Sequence, residues 1–148
     1  MVSGEAVANR LETPIPRIVI VEDEPELREA LLVMLEAHGY DVVGTARGGR
    51  EAVDVAVATH PDLVLIDYRM PGVDGITAAR AILQAAPTTQ IVMLTAYDES
   101  SLGLDAARAG IFAFLAKGCP PSLILEALGE AWATKRSPDG GQLGSSGQ

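Results

Sequence analysis

Five short apolar runs recur along the chain, each about as long as one β-strand. The most continuous is "LVLI" at 63–66, which leads directly into Asp67 and then into a turn containing Pro71 and Gly72. An apolar run without polar alternation is typical of a strand buried on both faces. The sequence therefore predicts strands at 17–21, 41–45, 62–67, 90–95 and 111–116.

Helical patterns fill the intervals between these runs. In 25–38, Leu27, Leu31 and Leu35 recur at helical spacing, and Gly39 follows as a stop. Further helices are predicted at 48–60, 74–86, 98–110 and 120–135, the fourth weakened by serines and a glycine. Strands that alternate with helices imply right-handed crossovers. The expected fold is a single α/β domain, a doubly wound five-stranded parallel sheet with five helices.

The ends of the chain differ from this core. Residues 17–133 are predicted to form the domain, 1–16 a flexible leader, and the Gly/Ser-rich 134–148 a flexible tail or truncated linker. The leader lacks the basic and apolar regions of a signal peptide, and no apolar run reaches membrane-spanning length. With Cys119 as the one cysteine, a reducing, cytoplasmic location is expected.

Charge limits the classes of partner. Acidic residues outnumber basic ones 20 to 11, which gives a net charge of −9. Gripping a nucleic-acid backbone requires clustered Lys and Arg, so direct nucleic-acid binding by this chain is not expected.

Polar side chains stand where the predicted strands end. Glu22 and Asp23 follow the first strand, Asp67 ends the third, Thr95 ends the fourth, and Lys117 follows the fifth. The carboxyl ends of parallel strands share one edge of the sheet, so these groups should converge there. Carboxylates held close together repel one another unless a cation intervenes. Mg²⁺ is the cation predicted, because it suits a small site of oxygen ligands.

These residues carry a resemblance to a known family. The segments "IVIVEDE", "LVLIDYRMPGVDGI", "IVMLTAYDE" and "FAFLAKG" resemble the receiver domain of two-component response regulators, over about 17–133. The segment "KGCPPSLILEAL" resembles most the receivers of LuxR-type regulators. The resemblance implies a flavodoxin-like sheet of strand order 2-1-3-4-5.

The resemblance also implies roles for the residues at the strand ends. Asp67 would be the phosphoacceptor, taking a phosphoryl group from a sensor histidine kinase or a histidine phosphotransfer protein. Mg²⁺ would be held by Glu22, Asp23, Asp67 and the main-chain carbonyl of Arg69. Lys117 and Thr95 would contact the phosphoryl group.

Switching and signal lifetime involve three further positions by the same resemblance. Phe114 would couple to Thr95, although it lacks the hydroxyl of the tyrosine commoner there. The bulky Arg69 and Tyr97 would slow self-dephosphorylation. Such a chain is a signalling domain rather than an enzyme, and phosphorylation would switch contacts with partners, a homodimer or an output domain absent from this sequence.

Two other functions compete with this interpretation. A haloacid dehalogenase-like, Mg²⁺-dependent phosphohydrolase also uses an Asp at a strand end, but it needs a second acid at the position of Arg69. A flavin-binding module would place phosphate near "EDEPE", whose charges repel it.

Overall fold

The structure is a computed structural model that describes residues 14–96 and 100–136. Predictions for 1–13, for Tyr97 and for 137–148 therefore lie outside the described residues. Five parallel strands form one sheet in the order β2-β1-β3-β4-β5, which confirms the predicted fold. The strands are β1 Arg17–Val21, β2 Asp41–Ala46, β3 Leu63–Asp67, β4 Gln90–Thr95 and β5 Ala113–Ala116.

Five helices connect the strands and cover both faces of the sheet. They are α1 Pro25–Ala37, α2 Gly49–Thr59, α3 Gly75–Ala85, α4 Ser100–Arg108 and α5 Pro121–Arg136. One apolar core lies between the sheet and α1 with α5, and a second lies between the sheet and α2, α3 and α4.

Alternation along the central strands explains why their apolar runs are continuous. In β3, Leu63 and Leu65 pack into the core under α1 and α5, whereas Val64 and Ile66 pack into the other core. All four side chains are at most 1% exposed. At about 1.5–3 kcal/mol for each such side chain, this burial fixes the position of β3 and of Asp67 at its end.

Most boundaries lie within one residue of the predicted ones, and larger differences are found at the end of α4 and the start of β5. β5 begins at Ala113 rather than at residue 111, because the Ile111 amide donates to the Ala106 carbonyl and so still closes the end of α4. α5 ends at Arg136, one residue beyond the predicted end at residue 135.

Candidate functional site

Three carboxylates from the ends of β1 and β3 form the centre of the site. Single oxygen atoms of Glu22, Asp23 and Asp67 all lie within 4.8 Å of one another. Glu22 and Asp67 are buried, at 1% and 3% exposed, while Asp23 faces solvent. β1 and β3 are hydrogen-bonded neighbours, so the sheet itself brings these groups together.

Lys117 supplies the opposing charge. Its Nζ lies 2.9 Å from Asp67 Oδ2 and 3.3 Å from Glu22 Oε2. The turn after β5 carries it, and its backbone amide donates to the Thr95 carbonyl. Burial lowers the pKa of Lys117, but its hydrogen bond to Asp67 and the charges of both carboxylates outweigh this effect and raise it overall.

Glu22 has one satisfied oxygen and one that is not. Oε2 accepts hydrogen bonds from Lys117 and from the Glu24 amide. Oε1 is buried without a hydrogen-bond partner among the described residues. Burial raises the pKa of Glu22, the charge of Asp67 adds to this, and the Glu24 amide and Lys117 oppose it. A buried carboxylate oxygen without a donor, beside two further carboxylates, fits a hard divalent cation.

Thr95 lies farther along the same edge, whereas Phe114 lies inside β5 at the level of Met93. Thr95 is 2% exposed and stands one position beyond Leu94, the partner of Asp67 in the sheet. Phe114 is half-buried between β5 and α4. Two of its ring carbons lie 3.8 and 3.9 Å from where a Cβ would stand on Gly103. An added methyl group at position 103 would therefore touch the ring at ordinary van der Waals distance without displacing it.

An open cleft of about 430 Å³ borders the carboxylates and is lined in part by Asp23, Tyr68, Arg69 and Asp74. Arg69 is exposed. Asp74 was not among the predicted site residues. Its side chain caps α3 by accepting from the Thr77 amide at 2.8 Å, and its place directly before an apolar helix was the available signal.

Glycine shapes the loop after Asp67 in two ways. Gly72 has a φ of +84°, the left-handed conformation expected of a tight turn. Gly75 is instead the first residue of α3, and its lack of a side chain allows the start of this helix to lie close to the backbone of Asp67 and Tyr68. A Cβ there would lie 2.6 Å from the Asp67 carbonyl oxygen and 2.8 Å from Tyr68 Cα. Because both obstacles are backbone atoms, the loop holds Asp67 only if position 75 has no side chain.

Arg28 is a supporting residue that the sequence reasoning missed. Its guanidinium donates from α1 to the Glu22 carbonyl at 2.9 Å, which ties the loop after β1 to the first turns of the helix. Its position inside a helical pattern gave no sign of this contact.

A parallel five-stranded sheet with clustered acids and a lysine at its carboxyl edge defines a class of signalling domain. The family model for the response regulator receiver domain matches residues 18–129. The chain belongs to this family: it is a receiver domain of two-component response regulators, whose known function is to accept a phosphoryl group. Receiver domains bind Mg²⁺ at an acidic pocket, and they are signalling domains rather than classic enzymes.

Particular relatives include both short and long proteins. The chain is 35% identical to the chemotaxis protein CheY of Thermotoga maritima over 76% of its own length and 93% of that protein. It is 42% identical to the transcriptional regulatory protein PdtaR of Mycobacterium tuberculosis, also over 76% of its length, but it spans only 54% of that regulator.

A solved structure shares the fold at similar identity. It is a two-component response regulator of the LuxR family from Aurantimonas sp. SI85-9A1, with a TM-score of 0.78 and 33% identity. The alignment covers 87% of this chain and 94% of that one. Separately, no helix within 14–96 and 100–136 is long and apolar enough to cross a membrane.

Proposed function

We propose that Asp67 is the phosphoacceptor, and that the donor is a phosphohistidine on a sensor histidine kinase or a histidine phosphotransfer protein. The observation that carries this proposal is the ion pair between Asp67 Oδ2 and Lys117 Nζ at 2.9 Å. It places a buried carboxylate at the sheet edge beside a fixed positive charge. The carboxylate is then a nucleophile that needs positioning rather than a general base.

The transfer itself is a single displacement at phosphorus. An oxygen of Asp67 forms a bond to phosphorus while the bond from phosphorus to the histidine nitrogen breaks. The bonding electrons return to the imidazole ring. The product is an acyl phosphate on Asp67. Lys117 lies where its ammonium can neutralise oxygen charge on the incoming group, and Thr95, at the end of the adjacent strand, is the proposed hydroxyl donor to that group.

Glu22, Asp23, Asp67 and the main-chain carbonyl of Arg69 would hold Mg²⁺. The bound ion would offset negative charge on the carboxylates and on the phosphoryl oxygens. The buried Glu22 Oε1, which has no partner among the described residues, supports this proposal from the protein's side.

Phe114 and α4 are the proposed route from the site to a partner surface. Phosphorylation would shift an existing equilibrium between arrangements of α4, β5 and α5. Phe114 of β5 packs into the same apolar core as Leu102 and Ala106 of α4, which couples β5 to α4. Leu104 of α4 and Leu123 of α5 are 53% and 42% exposed, and they offer apolar contact for a phosphorylation-favoured homodimer.

Two remaining expectations concern lifetime and location. Arg69, exposed in the cleft beside Asp23, supports the proposal that it shields the acyl phosphate from water. Tyr97, the second position proposed to tune hydrolysis, lies outside the described residues. A donor that is a cytoplasmic kinase domain would place this chain in the cytoplasm.

The two competing functions receive no support. A phosphohydrolase of the haloacid dehalogenase type needs an acid where this chain has Arg69, and a flavin phosphate would meet Glu22 and Asp23. The membership of the chain in the receiver-domain family also argues against both functions.

Incubation with acetyl phosphate, followed by intact mass, tests the proposal. The parent chain should gain the mass of one phosphoryl group when Mg²⁺ is present and none when EDTA replaces it. Asp23→Asn should lose most of the gain, whereas Glu24→Gln, an exposed acid next to it in sequence, should keep it. A gain that is equal with EDTA would refute the metal requirement.

A further inference from the structure

A second cavity lies at the opposite edge of the sheet from the carboxylates. It is open to solvent and has a volume of about 770 Å³, and its lining includes Arg17 at the start of β1, Gln90 at the start of β4, and the last residues of α5. Cavities of this size accommodate small ligands or peptide side chains. None of the residues assigned to the phosphoryl site lines it.

Three cations line this cavity, although the chain is strongly acidic overall. Arg17 Nη1 donates to the His60 carbonyl at 2.9 Å, and Lys135 Nζ donates to the Thr88 carbonyl at 2.7 Å. These acceptors are neutral, so they hold the side chains in place without cancelling their charge. Within the described part of the chain, both ion pairs belong to Lys117, and none involves these three cations.

The third cation, Arg136, stands over an aromatic ring. Its guanidinium carbon is 5.5 Å from the centroid of the Trp132 ring. A guanidinium placed over a ring face is attracted to it, and its in-plane N–H groups remain available to a carboxylate. Trp132 is half-buried against the core under α1 and α5, and this packing fixes the position of the ring beneath the guanidinium.

Apolar surface completes the cavity. Ile15, which is 63% exposed, and Pro87 line it beside Trp132. Asp62 also lines it and is the one acidic residue among the lining residues; one of its oxygens accepts a hydrogen bond from the Arg17 amide at 2.9 Å. Lys135 and Arg136 lie in the last turn of α5, where positive charge interacts favourably with the helix dipole. That effect does not account for Arg17, which comes from a strand and meets them at the same cavity.

We propose that this cavity binds an acidic peptide segment of a partner protein. Carboxylates of the segment would pair with Arg17, Lys135 and Arg136, and an apolar side chain would pack against Trp132 and Ile15. The three cations outnumber Asp62, the one acidic residue of the lining, and they surround apolar surface, so the cavity is complementary to such a segment in charge and polarity. Because it lies at the opposite sheet edge, this contact is separate from the proposed phosphotransfer at Asp67.

Binding can be measured on the full chain with the labelled probe peptide fluorescein-Asp-Glu-Leu-Asp-Glu-amide. We expect saturable anisotropy that weakens as salt rises, and a matching change in the fluorescence of Trp132, the one tryptophan in the chain. The double variant Lys135→Gln with Arg136→Gln should bind about tenfold more weakly or worse, as loss of two charge-assisted contacts implies. Arg108→Gln, which removes a cation from the last turn of α4, should bind like the parent.

Several results would overturn the proposal. These are an absence of saturable binding, equal affinity of the double variant, or equal binding of a peptide with Lys in place of every acid. Displacement of the peptide by AMP or inorganic phosphate at similar concentration would instead identify a general anion site. Asp67→Asn should bind the peptide like the parent, so failure here is distinguishable from failure of the phosphoacceptor proposal.

Discussion

The Lys117 ammonium and the Asp67 carboxylate are 2.9 Å apart, although β4 separates the strands that carry them. The lysine side chain thus reaches across the end of the sheet to a group that is 3% exposed. It also contacts Glu22, so one cation compensates two buried anions.

Replacing Lys117 should destabilise the protein because it leaves both carboxylates buried and uncompensated. Lys117→Met is expected to lower the free energy of unfolding by about 2 kcal/mol in EDTA, less than for a fully buried pair since Lys117 is partly exposed. Urea denaturation measures this. Lys135 is the only other lysine in the sequence. Lys135→Met should change the free energy of unfolding by well under half as much. Equal effects of the two substitutions would contradict the account.

Glu22 should make stability depend on pH. Its pKa is raised above 4.5 in the folded state, chiefly by burial, so folding favours its protonated form. Its contribution to stability is therefore fully present below pH 4.5 and is lost as the pH rises through the folded-state pKa. In EDTA, Glu22→Gln should be more stable than the parent at neutral pH, and this difference should shrink toward pH 4.5.

Urea denaturation of parent and variant across this range measures the effect. Glu36→Gln, at an exposed position on α1, is the control and should show no such trend. A difference for Glu22→Gln that is constant with pH would mean that burial of the carboxylate does not govern it.

Gly75 should be intolerant of a side chain. Gly75→Ala places a Cβ 2.6 Å from the Asp67 carbonyl oxygen, and the backbone must shift to relieve this contact. We expect a loss of about 1–3 kcal/mol in unfolding free energy, together with slower phosphorylation by acetyl phosphate. Gly129→Ala, on an open part of α5, should be neutral or stabilising by up to about 1 kcal/mol. Normal phosphorylation of Gly75→Ala would show that the loop accommodates the methyl group without moving Asp67.

Arg69 should lengthen the lifetime of the acyl phosphate by restricting the approach of water from the cleft it lines. Arg69→Ala is therefore expected to shorten the half-life of the phosphorylated protein, followed by intact mass after the donor is removed. Arg50→Ala, an exposed arginine on α2, is the control. A half-life that lengthens in Arg69→Ala would refute this role.

The sequence was sufficient to predict the fold because the strands leave a simple signal. β1, β3 and β4 are buried on both faces, so they appear as unbroken apolar runs whose polar ends mark the site edge. The start of β5 was predicted less accurately, because Ile111 is apolar and buried, yet its amide donates a hydrogen bond to the end of α4. Hydrophobicity alone cannot distinguish these two environments.

Features of the site that depend on tertiary contact were not predictable. That Asp67, Glu22 and Lys117 share one edge follows from parallel topology, but the bond from Arg28 to the Glu22 carbonyl does not. The cavity around Trp132 joins residues from both ends of the domain and from two loops between. No local sequence pattern predicts that these residues lie together.

Locating the phosphoryl group on the chain decides whether Asp67 is the phosphoacceptor. After reaction with acetyl phosphate and Mg²⁺, borohydride reduction converts an aspartyl phosphate to homoserine, and tandem mass spectrometry of peptides identifies its position. We expect homoserine at residue 67 in the parent and in Asp62→Asn, and none in Asp67→Asn. Homoserine only at another position in the parent, or undiminished phosphorylation of Asp67→Asn, would show that Asp67 is not the phosphoacceptor.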